Sequence, residues 1–428
     1  MIRALRIALA AGVAALAGLT AVEARSVAGS RTAVYLDKGL DAADFATFFG
    51  DLKDHGFELA MAPGALMAAD ERQYDHAVVF AASGKADAAT AADKLVEFTN
   101  AGGNVLVAVS ATGVPAALRD FARELDIHLP VRGHSYVDHF AALDEKHEVV
   151  ALGAESVANT HVVRPGAGPV AYRGTAATLG NRPEVVPILR GSATGYTFDT
   201  VEETGAAAEP FAAGSQAFLV AGLQARNNAR AVVACSVELF SDASMALGAG
   251  NRATALDVAA WAFRERGEIR SAGVSHRLAA GGPANPGIYR IQDEVEYTIA
   301  LSEWTGAEWA PFAAADVQVE AVMLGPYYRL TLAPAGDADG ARNYVARFAL
   351  PDQHGVFTLR TEYRRPGLAA VEERRQVTVR HSAHNEYLRS FEITNAWVYL
   401  ASICAVVGGW LVFVVVWLYY GDGAKKTE

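Results

Sequence analysis

The first third of the chain alternates short apolar runs with amphipathic segments. The runs TAVYLD, FELAMA, HAVVFAA and NVLVAVS each have the length of a buried strand. Between the first two, apolar residues recur at helical spacing from Asp41, a predicted N-cap, to Gly56, a predicted helix stop. Apolar strands that alternate with helices are typical of an open, mostly parallel sheet. The pattern therefore predicts a flavodoxin-like α/β region whose regular part is 31–130.

Residues 131–270 continue this α/β region less regularly. QAFLVAGLQA and RAVVACSVELF are predicted strands, and ATALDVAAWAFRERG is a predicted helix with Leu256, Ala260 and Phe263 on its apolar face. The Gly- and Pro-rich stretch 279–287 indicates a linker or an entry loop. We expect one α/β region to span 25–270.

After that stretch the apolar period changes to two. VEYTIALSEW, DVQVEAVML, YYRLTLA, ARNYVARFAL, GVFTLRTEY and RRQVTVR alternate apolar with polar residues and are separated by turn residues. Such short strands at close intervals predict a β-sandwich. We assign this β-sandwich and its connector to 271–395.

The two ends of the chain carry targeting and membrane patterns. The first 24 residues combine Arg3 and Arg6 with an apolar run and a small-residue cleavage pattern at Val22 and Ala24, which predicts a signal peptide at 1–24. An uncleaved N-terminal anchor is the alternative. Residues 396–420 contain no charge and span roughly 37 Å as a helix, enough to cross a membrane. A cleaved signal peptide and one late span predict a type I membrane protein with a lumenal bulk.

The predicted cytosolic tail, 421–428, ends in GDGAKKTE. Lys425 and Lys426 stand fourth and third from its end, the register of a Lys-Lys-x-x signal for return to the endoplasmic reticulum. Simple positive-inside anchoring is the alternative. Within the span, Gly408 and Gly409 lie close to a stripe of small residues and are candidates for helix–helix contact.

Composition excludes several classes of protein. The chain has 428 residues, 52% of them hydrophobic, so it is neither disordered nor one ordinary domain. Its net charge of −11 and the absence of a basic run argue against nucleic acid as a partner. The 2 cysteines are Cys235, in a predicted buried strand, and Cys404, in the span, so we expect no disulfide.

No catalytic set emerges from the residues. Ser110 follows a predicted strand but lacks the flanking Gly of a nucleophile elbow. His134, Asp138 and His139 are close in sequence, yet no second ligand group at a familiar spacing supports a metal site. We therefore predict no catalytic residue, no metal and no cofactor.

Two polar segments stand out from apolar surroundings. The segment GLQARNNAR (222–230) lies between two predicted strands, and GSATGYTF (191–198) is of the same kind. A polar hairpin turn explains the first, because Asn tolerates left-handed backbone. A polar recognition surface is the alternative, and its candidate interface residues are Gln224, Arg226, Asn227, Asn228 and Arg230.

The same segments resemble the family of the 48 kDa subunit of oligosaccharyltransferase. GLQARNNAR followed by ELFSD (238–242) looks like the signature of this family. The other similar stretches, in the same order, are FFGDLKDHGFEL (48–59), AGGNVLVA (101–108), VDH (137–139), GSATGYTF, VSH (274–276), 285–299 and LPDQHGVFTLRTEY (350–363). The resemblance covers the whole chain, including both ends.

This resemblance implies an amidotransferase-like α/β fold without the catalytic Cys, and a non-catalytic subunit of the complex that transfers a preassembled glycan from dolichyl diphosphate to Asn. It implies an endoplasmic reticulum membrane protein that supports complex assembly. The implied partners are the many-span catalytic subunit, a ribophorin II-like subunit and a defender-against-cell-death-like subunit. The alternatives are a lumenal α/β hydrolase built on Ser110, or a carbohydrate-binding receptor that uses aromatic residues at 304, 309, 327 and 328.

Overall fold

A computed structural model describes residues 25–61, 73–82, 90–130, 133–166, 168–199, 210–387 and 395–420. The predicted signal peptide at 1–24 lies outside the described residues. So does the predicted tail with Lys425 and Lys426.

The described part of the first region, 25–268, contains strands β1–β13 and helices α1–α5. Its strands are β1 (Arg31–Leu36), β2 (Glu58–Met61), β3 (His76–Ala81), β4 (Asn104–Val109), β5 (Ile127–His128), β6 (His134–Val137), β7 (Val150–Leu152), β8 (Val170–Tyr172), β9 (Thr178–Leu179), β10 (Val185–Arg190), β11 (Tyr196–Asp199), β12 (Phe218–Gln224) and β13 (Arg230–Ala234). Its helices are α1 (Ala46–Asp54), α2 (Ala92–Asn100), α3 (Ala116–Glu124), α4 (Asp242–Leu247) and α5 (Asn251–Ala262).

A 7-stranded sheet in the order β10-β12-β13-β4-β3-β1-β2 forms the centre of the first region. The five strands from β13 to β2 are parallel, while β12 and β10 are antiparallel additions at one edge. Helices α1 and α5 pack on one face and α2 and α3 on the other, so β3 and β4 are buried on both faces. The predicted mixed α/β architecture is confirmed.

Local chemistry sets the start and end of the first helical segment. The Asp41 side chain accepts a hydrogen bond from the backbone N–H of Ala43, as the sequence predicts. This cap opens a 3₁₀ turn at Ala42–Phe45, and α1 begins only at Ala46. Gly56 follows the helix with a φ of 87°, a left-handed conformation that glycine adopts without strain.

The predicted apolar face of α5 is only partly right. Phe263, just past its end, is fully buried, but Leu256 and Ala260 are half-buried. The helix buries Val258 and Ala259 instead, because it packs closely on the sheet through small residues.

The second region, 269–387, contains strands β14–β23. These are β14 (Ile269–Leu278), β15 (Ile288–Arg290), β16 (Glu294–Trp304), β17 (Trp309–Pro311), β18 (Gln318–Met323), β19 (Gly325–Thr331), β20 (Ala333–Ala338), β21 (Ala341–Ala349), β22 (Gly355–Tyr363) and β23 (Val371–Arg380). They form two 5-stranded sheets that share one apolar core. The hydroxyls of Tyr297 and Thr361, 2.9 Å apart, join the two sheets inside it.

The loop 279–287 lies within this second region, between β14 and β15. The change of region falls earlier, at 263–268, where α5 gives way to β14. After the second region, α6 (Ala396–Tyr419) is a 24-residue helix with no residue buried in the chain's own core. It is long and apolar enough to cross a membrane.

Candidate functional site

The polar segment 222–230 forms the tight turn between β12 and β13. Gln224 and Arg230 face each other as the last paired residues of the two strands. Asn228 has a φ of 61°, the left-handed conformation for which the Asn pair is suited. The backbone N–H of Ala225 donates to the carbonyl of Ala229 at 2.8 Å and closes the turn.

This turn receives a loop from the second region. The loop 364–370, called here the docking loop, joins β22 to β23. The Gln224 Nε2 group donates to the carbonyl oxygen of Leu368 at 2.9 Å. The Asn228 Oδ1 atom accepts from the Ala370 N–H at 3.1 Å and from Gln224 Nε2 at 3.3 Å. On the other side of the turn, Asn227 Nδ2 donates to carbonyls at the end of α2.

Arg230 is a fully buried cation at the change of region. Its guanidinium donates to the carbonyls of Trp261, Arg266 and Gly267 at 2.6–2.8 Å. It also pairs with the buried carboxylate of Glu268 at 2.9 Å. Burial lowers the pKa of Arg230 to about 10, although Glu268 opposes this shift. The segment from α5 to β14 is thus folded around one buried charge.

The docking loop contacts the same segment directly. Trp261 Nε1 donates to the Gly367 carbonyl at 2.8 Å, and the Ala369 N–H donates to the Gly267 carbonyl at 2.8 Å. Asn159 Nδ2 adds a bond of 3.0 Å to the Pro366 carbonyl. These contacts join the two regions through buried, directed hydrogen bonds, which resist relative motion better than apolar contact alone.

A second polar cluster unites VDH (137–139) with GSATGYTF, two segments far apart in sequence. Strands β6 and β11 pair antiparallel and bring them together. The fully buried carboxylate of Asp138 accepts bonds from the Ser192 hydroxyl and, at 3.0 Å, from the Thr194 hydroxyl. Burial raises its pKa, but the bonds from Ser192, Phe140 N–H and Thr194 outweigh burial and leave the pKa lowered.

The residues considered as metal ligands are engaged in other contacts. His139 Nε2 lies 3.0 Å from the Tyr196 hydroxyl, and the His134 ring packs edge-on against Phe211. Among the described residues, no group of three His, Cys, Asp or Glu side chains lies close enough to hold a metal ion. The cluster fixes the β6–β11 pair in place.

One group of side chains resembles a serine nucleophile with a histidine base, but the direction of its hydrogen bonds does not suit catalysis. Ser26 Oγ lies 3.3 Å from His76 Nε2, and Asn104 Nδ2 lies 3.2 Å from His76 Nδ1. The Oδ1 atom of Asn104 accepts from the Arg230 N–H, so its Nδ2 group is the donor to His76 Nδ1. Because Nδ1 of His76 accepts this bond, the ring proton of His76 is on Nε2. Ser26 donates to the Phe263 carbonyl at 2.6 Å. His76 therefore cannot take the Ser26 proton.

The other nucleophile candidates also lack an activating base. Ser110 Oγ contacts Thr112 Oγ1 at 3.0 Å, and no acid or base among the described residues bonds to it. Burial raises the pKa of the Cys235 thiol to about 12, which keeps it protonated and unreactive.

Comparison with known proteins identifies the family. The chain matches the family model "OST48, N-terminal domain" over residues 23–265 and "OST48 middle domain" over 276–421. The chain belongs to the OST48 family.

Curated relatives of OST48 type match along almost the whole chain. "Dolichyl-diphosphooligosaccharide--protein glycosyltransferase subunit WBP1" of Saccharomyces cerevisiae is 33% identical over 93% of this chain and 93% of that protein. The wbp1 subunit of Schizosaccharomyces pombe is 32% identical over 88% of this chain and 90% of that protein. The "48 kDa subunit" of Danio rerio is 32% identical over 92% and 93%.

The candidate interface residues of this OST48-family chain lie partly in its interior and partly on its surface. Gln224 and Arg230 are buried against the chain's own residues, while Arg226 and Asn227 are exposed. Gly408 and Gly409 lie on exposed parts of α6.

Sequence reasoning missed the docking loop, Trp261 and Glu268. The Pro366-Gly367 pair between two alternating strands marks a turn at the loop, but nothing local shows what that turn contacts.

Proposed function

We propose that this chain is a non-catalytic subunit of an oligosaccharyltransferase complex, which transfers a preassembled glycan from dolichyl diphosphate to Asn of nascent proteins. Similarity along almost the whole chain to relatives named as subunits of that glycosyltransferase carries the proposal. The bonding at Ser26, Ser110 and Cys235 supports the non-catalytic part, because no base in the described part of the chain is placed to activate any of these groups.

The proposal includes fold and placement. The parallel order β2-β1-β3-β4-β13 supports a flavodoxin-like first region, and two sheets around one core support a β-sandwich second region. Helix α6 anchors the chain in the endoplasmic reticulum membrane as a single-pass type I protein with both regions in the lumen. The partners are the catalytic many-span subunit, a ribophorin II-like subunit, a defender-against-cell-death-like subunit and membrane lipid.

The role within the complex is to support assembly. A chain whose two regions are joined by buried bonds at the docking loop presents a fixed surface, which favours stable contact with several partners.

Purification of the full-length tagged chain from membranes in mild detergent tests the function. We expect the three partner subunits in stoichiometric amounts and glycan transfer by the purified complex. The chain freed of its partners should transfer no glycan. Recovery of the chain without other subunits would contradict the assembly role, and glycan transfer by the freed chain would contradict the non-catalytic role. Localisation is tested separately by replacing Lys425 and Lys426 with Ser, which should let unassembled chain leave the endoplasmic reticulum.

A further inference from the structure

A groove of about 390 Å³ lies beside the polar turn, between the first region and the docking loop. Its floor is apolar and includes Val186, Ala225 and Leu368. Val186 and Leu368 come from different regions, so the groove exists only because the docking loop packs against the first region. It is a surface that the assembled fold creates and that neither region has alone.

The rim of the groove is cationic on a chain of net charge −11. Arg226, Arg364 and Arg365 line it, against one carboxylate, Glu184. Arg364 pairs loosely with Glu184 at 3.7 Å and with Glu362 at 3.8 Å, and Arg365 donates to Asp316 at 2.7 Å. Arg226 is exposed, and no ion pair or hydrogen bond joins its side chain to another described residue. The rim therefore offers at least one guanidinium for an incoming carboxylate.

The adjoining concavity does not extend the free positive charge. It has a volume of about 280 Å³, shares Arg364 and Arg365 and adds Arg329 and Arg360, but Glu320 pairs with both added arginines and also lines it. Among the described residues of the two concavities, Arg226 is therefore the guanidinium left to select an acidic segment.

The groove wall also contains an unmet hydrogen-bond acceptor. Gln224 is 9% exposed and lines the groove. Its Nε2 group already donates to Leu368 and Asn228, which fixes the orientation of the amide. Its Oε1 atom is buried and accepts no hydrogen bond from the described residues. A buried acceptor without a partner costs free energy. A hydrogen-bond donor that enters the groove would remove this cost after a small shift of the Gln224 side chain.

We propose that this groove binds an extended, acidic and apolar segment of another subunit of the complex. Apolar side chains of that segment lie on the floor, a carboxylate pairs with Arg226, and a backbone N–H faces Gln224. Burial of the apolar side chains supplies affinity, and the cationic rim selects an acidic partner and sets its direction. This inference rests on the proposed function, since the occupant is a subunit of the same complex.

Site-specific photo-cross-linking in the full complex tests the inference. The photoreactive residue p-benzoylphenylalanine replaces Ala225 or, separately, Ala370, both of which line the groove. The exposed Ala116 on α3 is the control position. We expect both groove positions, and not Ala116, to cross-link to one other subunit, at a peptide in which apolar residues adjoin Asp or Glu.

Charge reversal then tests the carboxylate. Arg226→Glu should lower the cross-link yield about fivefold or more, because like charges at an interface rim repel. Arg123→Glu, at an exposed arginine on α3, should leave the yield unchanged. Reversing the carboxylate of the cross-linked peptide to Arg should restore the yield in the Arg226→Glu background.

Other outcomes would overturn the inference. Cross-links to lipid, to a second copy of this chain or to its own residues would exclude a subunit segment as the occupant. An unchanged yield in Arg226→Glu would exclude the charge contact. If the chain co-purifies with the complex but these results fail, only the groove inference is wrong. If it does not co-purify, the proposed function itself fails.

Discussion

The indole Nε1 of Trp304 donates a hydrogen bond of 2.7 Å to the backbone carbonyl of Arg25. Arg25 is the first residue after the predicted signal peptide, and Trp304 ends β16 in the second region. The Arg25 N–H donates in turn to the His55 carbonyl at 3.3 Å, and Val27 N–H donates to the Arg264 carbonyl at 3.3 Å. The start of the described chain therefore connects the two regions at a second place, apart from the docking loop.

Loss of the Trp304 indole N–H should destabilise the packing of the segment that begins at Arg25. Trp304→Phe keeps an aromatic ring but removes the N–H, so we expect the free energy of unfolding to fall by about 0.5–1.5 kcal/mol. Limited proteolysis should cut near 25–30 sooner than in the wild type. Trp309→Phe, in the neighbouring strand, is the control, and an equal effect on the N-terminal cut would contradict a specific role for the Trp304 bond.

Removal of the buried cation should be the most destabilising change. Arg230→Met removes the fully buried partner of Glu268 and one donor to each of three carbonyls, and the cost of breaking such a buried pair is about 3–5 kcal/mol. Thermal unfolding in detergent and the yield of folded chain measure it. Arg264→Met removes a more exposed partner of the same carboxylate and should cost clearly less. Similar losses in both variants would argue against burial as the cause.

The docking loop depends on one glycine. Gly367 has a φ of 87°, and a Cβ atom there would lie 2.8 Å from the Asn159 amide. Gly367→Ala should destabilise the junction by about 1–3 kcal/mol and speed amide exchange at 364–370. Gly336→Ala is the matched control, because it has a φ of 115° with nothing within 4 Å of the new Cβ. A larger effect at Gly336 would show that backbone strain alone, and not the contact with Asn159, sets the cost.

The second region should lose stability at acid pH, because the carboxylate of Glu296 becomes protonated. Its carboxylate on β16 accepts bonds from Arg277 on β14 at 2.8 Å and Arg347 on β21 at 2.7 Å. These bonds lower its pKa below the ordinary value of 4.5. The stabilisation is therefore complete above pH 4.5 and is lost as the pH falls through the lower folded-state pKa.

Comparison of Glu296→Gln with the wild type measures this effect. The two arginines are largely exposed, so we expect a gap of about 1 kcal/mol at pH 7 that narrows below pH 4.5. Glu294→Gln, an exposed neighbour, is the control and should show no such gap. A gap that is constant from pH 7 to pH 3 would exclude the ionised pair as its source.

The apolar helix gives a prediction about assembly. Helices associate inside a membrane through close packing at small residues, since lipid competes equally with larger apolar side chains. Apart from the neighbouring residues and backbone of α6 itself, no atom of the described chain lies within 4 Å of a Cβ built at Gly408 or Gly409. Gly408→Leu with Gly409→Leu should keep α6 inserted but reduce the recovery of neighbouring subunits in detergent. Full recovery of the neighbouring subunits would mean that contacts outside the membrane hold the complex together. Val406→Leu serves as the conservative control.

The sequence alone determined the features that depend on neighbouring residues. The alternation of strands and helices, the Asp41 cap, the stop at Gly56 and the apolar helix α6 could all be predicted, because each follows from local spacing or from one residue's backbone preference. The turn at 222–230 belongs with them, since the Asn pair favours its left-handed backbone.

Only the tertiary structure decided what those elements contact. Strand β14 escaped prediction because its SAGVSHR core lacks a clear alternation, and its pairing with β16 supplies the stabilisation that its own sequence lacks. The docking loop lies more than 130 residues from the turn that holds it, as the 144-residue separation of Gln224 and Leu368 shows. Arg230 looks like a surface charge in sequence. It becomes a buried cation because carbonyls of 261–267 and Glu268 surround it, and those partners meet only when the chain is folded.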